Sequence, residues 1–237
     1  MDKSHASLLT VFIDEVMKES DTGYGDLAAV AVSRGPGSYT GLRIGVSAAK
    51  GICYGAGVPL LAVDTLRLMA AMAIRKLKIN TDKARRADCK NCENVSESNL
   101  PEGLALKADK PGSILLCPMI DARRMEVYTA LYDAGGVRFS ETGAHIIDNG
   151  WFDTMPKDKK IVFFGNGAEK CRDMGEKRGL VFVNDIYPSA LCMPALSDEA
   201  LREGRIEDTA YFEPFYLKDF LATTPRNRLH GAINQVK

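Results

Sequence analysis

Two short apolar runs, 27–33 and 58–63, bracket a glycine-rich turn and a stretch of small residues at helical spacing. A run without polar alternation is the pattern of a strand covered on both faces. Two such strands joined by a helix, here 41–56, make a strand–helix–parallel strand unit, and that unit places the chain in the α/β class. Ahead of it, residues 4–20 carry Leu8, Leu9, Phe12, Ile13, Val16 and Met17 on one stripe of an amphipathic helix. Behind it, Asp64 and Thr65 offer an N-cap to a second helix over 66–79.

The rest of the chain divides by pattern. Residues 75–113 are polar and poor in β-branched side chains, which reads as an insertion at about 80–113. Strand patterns over 114–120, 125–133 and 137–147, separated by turns at 121–124 and 135–136, predict a meander of hairpins. A buried strand follows at 161–164, then Gly165-Asn166-Gly167 and a helix to about residue 177. A helical segment over 189–203 holds Pro194, which either interrupts or restarts it. The insertion closes a first part over 1–113, and the hairpins open a second part with a tail over 114–237.

The chemistry is densest between the first strand and its helix, at Gly35, Pro36, Gly37, Ser38, Thr40, Gly41 and Arg43. Glycines between a strand end and a helix start let the backbone approach an anion, and free N–H groups at the helix N-terminus favour negative charge. The same residues also serve a chain that merely turns tightly. The spacing is one residue too long for a dinucleotide fingerprint, and the lysine of a P-loop is absent. The helix itself contains Gly45, Gly51 and Gly55, with Ser47, Ala48 and Ala49 adding further small side chains. Each mid-helix glycine costs about 1 kcal/mol relative to alanine. Close packing against another helix is the usual compensation, and helix 4–20 is the candidate; the pair either docks onto another protein or packs wholly inside its own domain.

Composition narrows the function classes. The chain of 237 residues has 46% hydrophobic positions, which is ample for a core and excludes disorder throughout. With 31 Lys+Arg against 31 Asp+Glu the net charge is 0, so a protein that coats nucleic acid by charge alone is excluded. A local basic cluster, Arg75, Lys76, Lys78, Lys83, Arg85, Arg86 and Lys90, stands either as a solvated face or as a tRNA contact, as do Arg226, Arg228 and Lys237 in the tail. Cys53, Cys89, Cys92, Cys117, Cys171 and Cys192 are spread widely and suit free thiols in a reducing compartment. Cys89-x-x-Cys92 is either half of a zinc site or a loop pair, and no second pair stands at a matching distance. There is no run of 18 apolar residues, and Met1 to His5 does not lead into a signal-peptide core, so a cytoplasmic protein away from membranes is expected.

Taken together and in order, several segments resemble a known family. They are Ser4-His5 with the leucine-rich helix, Ala29-Val30-Ala31-Val32-Ser33-x-Gly35-Pro36-Gly37-Ser38-x-Thr40-Gly41-x-Arg43-Ile44-Gly45, and Val58-Pro59-Leu60 through Thr65-Leu66. Further on they are Ile120-Asp121-Ala122-Arg123 with Glu126-Val127-Tyr128, Phe164-Gly165-Asn166-Gly167-Ala168, and Glu213-Pro214-x-Tyr216-Leu217-Lys218. This series is similar to the signature of the bacterial TsaB family of tRNA threonylcarbamoyladenosine biosynthesis proteins, formerly grouped with glycoprotease-like proteins. The resemblance implies an actin-like (ribonuclease H-like) two-lobed fold. It also implies a non-catalytic subunit that binds a TsaD-like transferase as a heterodimer and works with a TsaE-like ATPase. A homodimer through the same helices and an indirect link to tRNA belong to that expectation. The implied contact is a helical bundle, with Leu8, Leu9, Phe12, Ile13, Gly41, Ile44, Gly45, Ala48, Gly51 and Ile52 as its residues here. No tightly bound cofactor is expected, with ATP or ADP entering only at the level of the complex. The family's lobe begins with three antiparallel strands that are not found ahead of Ser4, so a first lobe truncated at its N-terminus is expected.

Residue by residue, catalysis finds little support. The related transferase holds a metal with two histidines four apart; the matching places here are Thr65 and Met69, which cannot replace imidazoles. Asp121-Ala122-Arg123 puts side chains where an actin-like phosphate loop relies on glycine. Asp121 and Arg123 are expected to fix the hairpin turn and the cleft between the lobes, with ligand contact as their alternative role. His5, His145 and His230 lie in separate segments, and no Gly-x-Ser-x-Gly surrounds a serine. The competing expectations are a peptidase or nucleotide hydrolase acting alone, and a dinucleotide-dependent oxidoreductase using Asp64 on a ribose, for which the loop spacing is wrong.

Overall fold

The structure is a computed structural model and describes residues 5–77, 79 and 112–218. The insertion, Cys89-x-x-Cys92, five residues of the basic cluster (Lys78, Lys83, Arg85, Arg86 and Lys90) and the tail after Lys218 lie outside the described residues.

The chain opens on α1 (His5–Glu19) and a single 3-10 turn, Tyr24–Asp26. The expected unit follows as β1 (Val30–Gly35), α2 (Tyr39–Ala56) and β2 (Leu60–Asp64). β1 and β2 pair in parallel, with Val30 opposite Leu60 and Ser33 opposite Val63. Ser38 caps α2 by accepting a hydrogen bond from the Gly41 amide, so the helix begins two residues earlier than its periodicity suggests. Gly57 ends α2 at φ +68°, and its N–H reaches the Cys53 carbonyl. β1 departs from the two-sided cover expected of it: only Gly35 is buried, and Val30 to Arg34 are half-buried. Among the described residues β1 pairs with β2 alone and α2 packs along it. In β2, by contrast, Leu60, Leu61 and Val63 are buried, with α3 and α6 completing their cover.

Helix α3 (Thr65–Lys76) ties the two halves together. Leu66, Leu68, Met69, Ala70, Met72 and Ala73 are buried, in one cluster with Val63, with Ile114, Leu116 and Ile120 of β3 (Ile114–Asp121), and with Val162 and Phe164 of β7 (Lys160–Phe164). The opposite face of the same sheet packs Leu115, Cys117 and Met119 against Phe152, Phe163 and Phe182. Cover on both faces explains why β3 is buried at seven successive positions.

The second sheet is mixed, not a pure meander. β3 pairs antiparallel with β4 (Glu126–Thr129), and β4 with β6 (Gly143–Ile146). β3 also runs parallel to β7, and β7 to β8 (Val181–Val183). The run expected as one strand over 125–133 breaks in two, because β5 (Tyr132–Asp133) pairs with Leu115 and Leu116 near the start of β3 while β4 pairs near its end. The third expected strand shortens to β6, and the helix after Phe164 becomes a 3-10 turn (Glu169–Cys171) and α5 (Arg172–Glu176). Pro194 sits in the first turn of α6 (Met193–Arg202), where its missing N–H costs nothing, so it starts the helix. α4 (Asn149–Asp153), capped by Asp148, and β8 were not anticipated.

Chain order and spatial order part company at the C-terminal end. The Glu207 amide donates to the Leu60 carbonyl at 2.9 Å, and Phe212 is buried in a cluster with Val46, Ala49, Cys53 and Leu60. Residues 206–215 therefore lie on the first sheet, although they follow the second in sequence.

Candidate functional site

α1 and α2 run side by side with an open cleft of about 520 Å³ between them. The α2 wall is made of small side chains, Ser47, Ala48, Gly51, Gly55 and Ala56, with Ile52; Thr10 and Ile13 of α1, with Tyr24, form the opposite wall. No residue of α1 whose side chain is described is buried: Leu8, Leu9, Ile13 and Met17 are half-buried, whereas Phe12 is 54% and Val16 61% exposed. The apolar stripe of α1 is thus only partly covered by the described residues. Tyr54, 89% exposed, continues the apolar surface on α2.

The glycines of α2 separate by what surrounds them. A Cβ on Gly45 meets Val32 of β1 at 3.9 Å, so this residue faces the sheet and not α1. A Cβ on Gly51 or Gly55 meets nothing within 4 Å. Close packing, expected as the compensation for these glycines, is absent at both among the described residues. Of the ten residues the resemblance places in the helical contact, the cleft gathers Ile13, Ala48, Gly51 and Ile52. Leu8, Leu9 and Ile44 are half-buried, Phe12 is open, and Gly41 lies in the first turn of α2 as donor to Ser38. Thr10, Tyr24, Ser47, Gly55 and Ala56 line the cleft without having been assigned to it. Spacing by four through 47, 51 and 55, and through 48, 52 and 56, is the signal that marks them.

The turn before α2 is occupied by the chain itself. Gly35, at φ +114°, needs to be glycine because a Cβ would stand 2.8 Å from the Phe215 carbonyl oxygen. The Phe215 amide in turn donates to the Arg34 carbonyl at 2.8 Å. At Gly35 the close approach that a glycine permits is made by the backbone of residue 215. Between Pro36, Gly37 and Tyr39 on one side and residues 215–218 on the other there remains a small cavity of about 40 Å³. Ser38 is used as the helix cap, and Thr40 is exposed. Arg43 is exposed and lies over the Tyr39 ring at 5.6 Å.

Asp121 and Arg123 build a turn. The Asp121 carboxylate accepts from the Arg123 amide at 2.6 Å and from the Lys170 ammonium at 2.5 Å, and the Asp121 amide donates to the Asn166 side chain at 3.0 Å. Lys170 also donates to the carbonyls of Arg124 and Glu126. Burial pushes the Asp121 carboxyl up, but Lys170 and the Arg123 amide outweigh it and hold it below the usual carboxylate range. The linkage sign follows: this pair stabilises the fold above the unfolded carboxyl pKa, and the contribution fades as pH falls through the lowered folded value. Lys170→Met removes a donor from the Arg124 carbonyl, from the Glu126 carbonyl and from the Asp121 carboxylate, the last two of which keep the Ala122 and Arg123 amides. It is expected to lower stability by about 1–3 kcal/mol at neutral pH, and urea denaturation at pH 7 and pH 3 is expected to show most of the difference at pH 7.

The remaining reactive groups serve packing. Thr65 shares a 2.6 Å hydrogen bond with Ser33, and Met69 is in the core. Asp64 is held by Arg34 at 2.6 Å. His145 lies beside Trp151, ring centroids 6.1 Å apart. Cys53, Cys117, Cys171 and Cys192 are buried free thiols, and burial pushes Cys117 up to about 12 and Cys171 up to about 11, which keeps them protonated and unreactive. Among the described residues no three His, Cys, Asp or Glu side chains are grouped to hold a metal, and no helix is long and apolar enough to cross a membrane.

Comparison with known proteins fits this architecture. The TsaB protein of Escherichia coli K12, a tRNA threonylcarbamoyladenosine biosynthesis protein, is 28% identical over 226 residues, 93% of this chain and 83% of its own length. The chain is TsaB-like. The TsaB protein of Bacillus subtilis 168 is 25% identical over 179 residues, 74% of this TsaB-like chain and 62% of its own length. A family model for TsaD, tRNA N6-adenosine threonylcarbamoyltransferase, matches residues 1–81. A crystal structure from Pseudomonas aeruginosa, of a protein with similarity to the peptidase YeaZ, superposes with a TM-score of 0.65 at 20% identity, covering 92% of this chain and 86% of the other. The fold is accordingly the actin-like α/β fold of these proteins.

Proposed function

We propose that this TsaB-like chain takes part in tRNA threonylcarbamoyladenosine biosynthesis as a non-catalytic subunit that docks a TsaD-like transferase in the cleft between α1 and α2. The observation that carries the reading is the pair Gly51 and Gly55. Together they cost about 2 kcal/mol of helix stability relative to alanine, and among the described residues nothing comes within 4 Å of a Cβ placed at either. A partner helix laid into the cleft can come close to the α2 backbone there and offset that cost. Phe12 and Val16 of α1 and Tyr54 of α2 are exposed apolar side chains on the same two helices. The names of the curated relatives supply the reaction, and the transferase family model over residues 1–81 supplies a partner of related build. On this reading ATP or ADP and a TsaE-like ATPase act at the level of the complex, and the two lobes divide near residue 113, the last part of the second returning to the first.

The test is direct mixing. The purified chain and the transferase of the same genome are expected to co-migrate as a heterodimer in sizing chromatography, while the chain alone shows no transferase, peptidase or ATPase activity. Absence of any complex overturns the reading. So does an activity of the isolated chain that disappears on changing Ser38, Thr40 or Asp121, which establishes the lone-enzyme alternative.

A further inference from the structure

α2 has two working faces. One turns Ser47, Ala48, Gly51 and Gly55 toward the open cleft. The other carries Val46, Ala49, Lys50 and Cys53, and it is this second face that residues 206–218 grip. The Lys50 ammonium donates to the Ala210 carbonyl at 3.0 Å and to the Phe212 carbonyl at 3.1 Å, fixing the segment to the middle of the helix. The Phe212 ring completes the buried cluster of Val46, Ala49, Cys53 and Leu60, joining it from outside the strand–helix–strand unit. At the helix start, Phe215 is locked to Arg34 and Gly35 by backbone contact, and Tyr216 lies against Tyr39 with ring centroids 5.0 Å apart. The far end is anchored on the second sheet, where Lys218 pairs with Glu126 and lies over Tyr128. α1 offers no comparable hold, since none of its described side chains is buried.

We propose that residues 206–218 are a clasp that sets the position of α2 on the first sheet and thereby the width of the docking cleft on its other face. Lys50 and Phe212 are then positioning residues for partner binding, although neither lines the cleft. The proposal rests on the docking reading above. A cleft between two helices is as deep as their separation allows, and α2 is pinned at Tyr39, at Lys50 and at Cys53 from the side opposite the partner. Loosening that side lets the helix ride outward, and a partner matched to one separation loses contact along the whole groove.

The test uses the full chain with the TsaD-like transferase of the same genome as the probe. Lys50→Met and Phe212→Ala are each expected to weaken binding at least tenfold, with faster amide hydrogen exchange confined to residues 39–56 and 206–218. Lys50→Met removes only a partly exposed ammonium, so it stays informative if Phe212→Ala fails to fold. Gly51→Leu, which fills the cleft, serves as reference and is expected to abolish binding. If Gly51→Leu does not bind while Lys50→Met binds within twofold of the unmodified chain, the clasp is overturned and the docking reading stands. If Gly51→Leu binds normally, both fall together. Exchange that rises equally in β3 and β7 also overturns the clasp, because the variants then act on global stability alone.

Discussion

Replacing Gly165 by alanine is expected to destabilise the chain by about 3–5 kcal/mol, roughly 10 °C in Tm for a chain of this size. Two costs add. Gly165 sits at φ +102°, where an L side chain is strained, and its Cβ would stand 2.4 Å from the Met119 carbonyl oxygen and 2.6 Å from the Met69 Cε. The methyl of Met69 can move aside. The Met119 carbonyl cannot, because it belongs to the central strand β3 and already accepts the Gly167 amide at 3.0 Å. Gly57→Ala is the matched control: its φ is +68° but a Cβ there meets nothing within 4 Å, so only the backbone strain of about 1–2 kcal/mol is expected. Urea denaturation of the two variants separates strain from collision. A Gly165→Ala chain as stable as Gly57→Ala would mean that the turn relaxes away from β3.

The strand–helix–strand unit was legible in the sequence because its apolar runs, its glycine-rich turn and its small-residue helix all signal the same geometry, each within a few residues. The identity of the second half was legible only as a set of apolar segments. Residues 130 and 131 are as apolar as their neighbours, so no local pattern tells that the chain leaves one end of β3 and returns to the other. β8 is three residues long, too short for any period to show. The turn at Gly35 illustrates a different limit. The glycine is plain in the sequence, and an anion was a natural reason for it. In the structure a carbonyl 180 positions later, that of Phe215, also stands over this glycine, a separation that no local pattern spans. The candidate site was partly legible in the same way: the cost of Gly45, Gly51 and Gly55 can be counted from sequence, but the direction in which each looks cannot. Only the structure separates Gly45, backed by Val32, from two glycines that face open space.

That separation makes the sharpest prediction for function, since stability and affinity are expected to move in opposite directions. In the isolated chain, Gly51→Ala with Gly55→Ala fits without contact and raises helix propensity by about 1 kcal/mol at each position. The double variant is therefore expected to be about 2 kcal/mol more stable, roughly 5 °C in Tm. Binding to the TsaD-like transferase is expected to weaken at least tenfold, about 1.4 kcal/mol, because two methyl groups stand where a partner helix approaches the α2 backbone. Gly45→Ala carries the same gain in propensity, and its methyl makes ordinary contact with Val32, so it is expected to stabilise without touching affinity. Thermal melts and binding titrations on these variants place each glycine independently. If the double variant gains stability and binds as before, the cleft is not where the partner sits. If all three substitutions weaken binding alike, the partner reads the position of α2 as a whole and not its open face. Loss of affinity confined to residues 51 and 55, together with a gain in stability, is what a helix kept weak for the sake of a neighbour is expected to show.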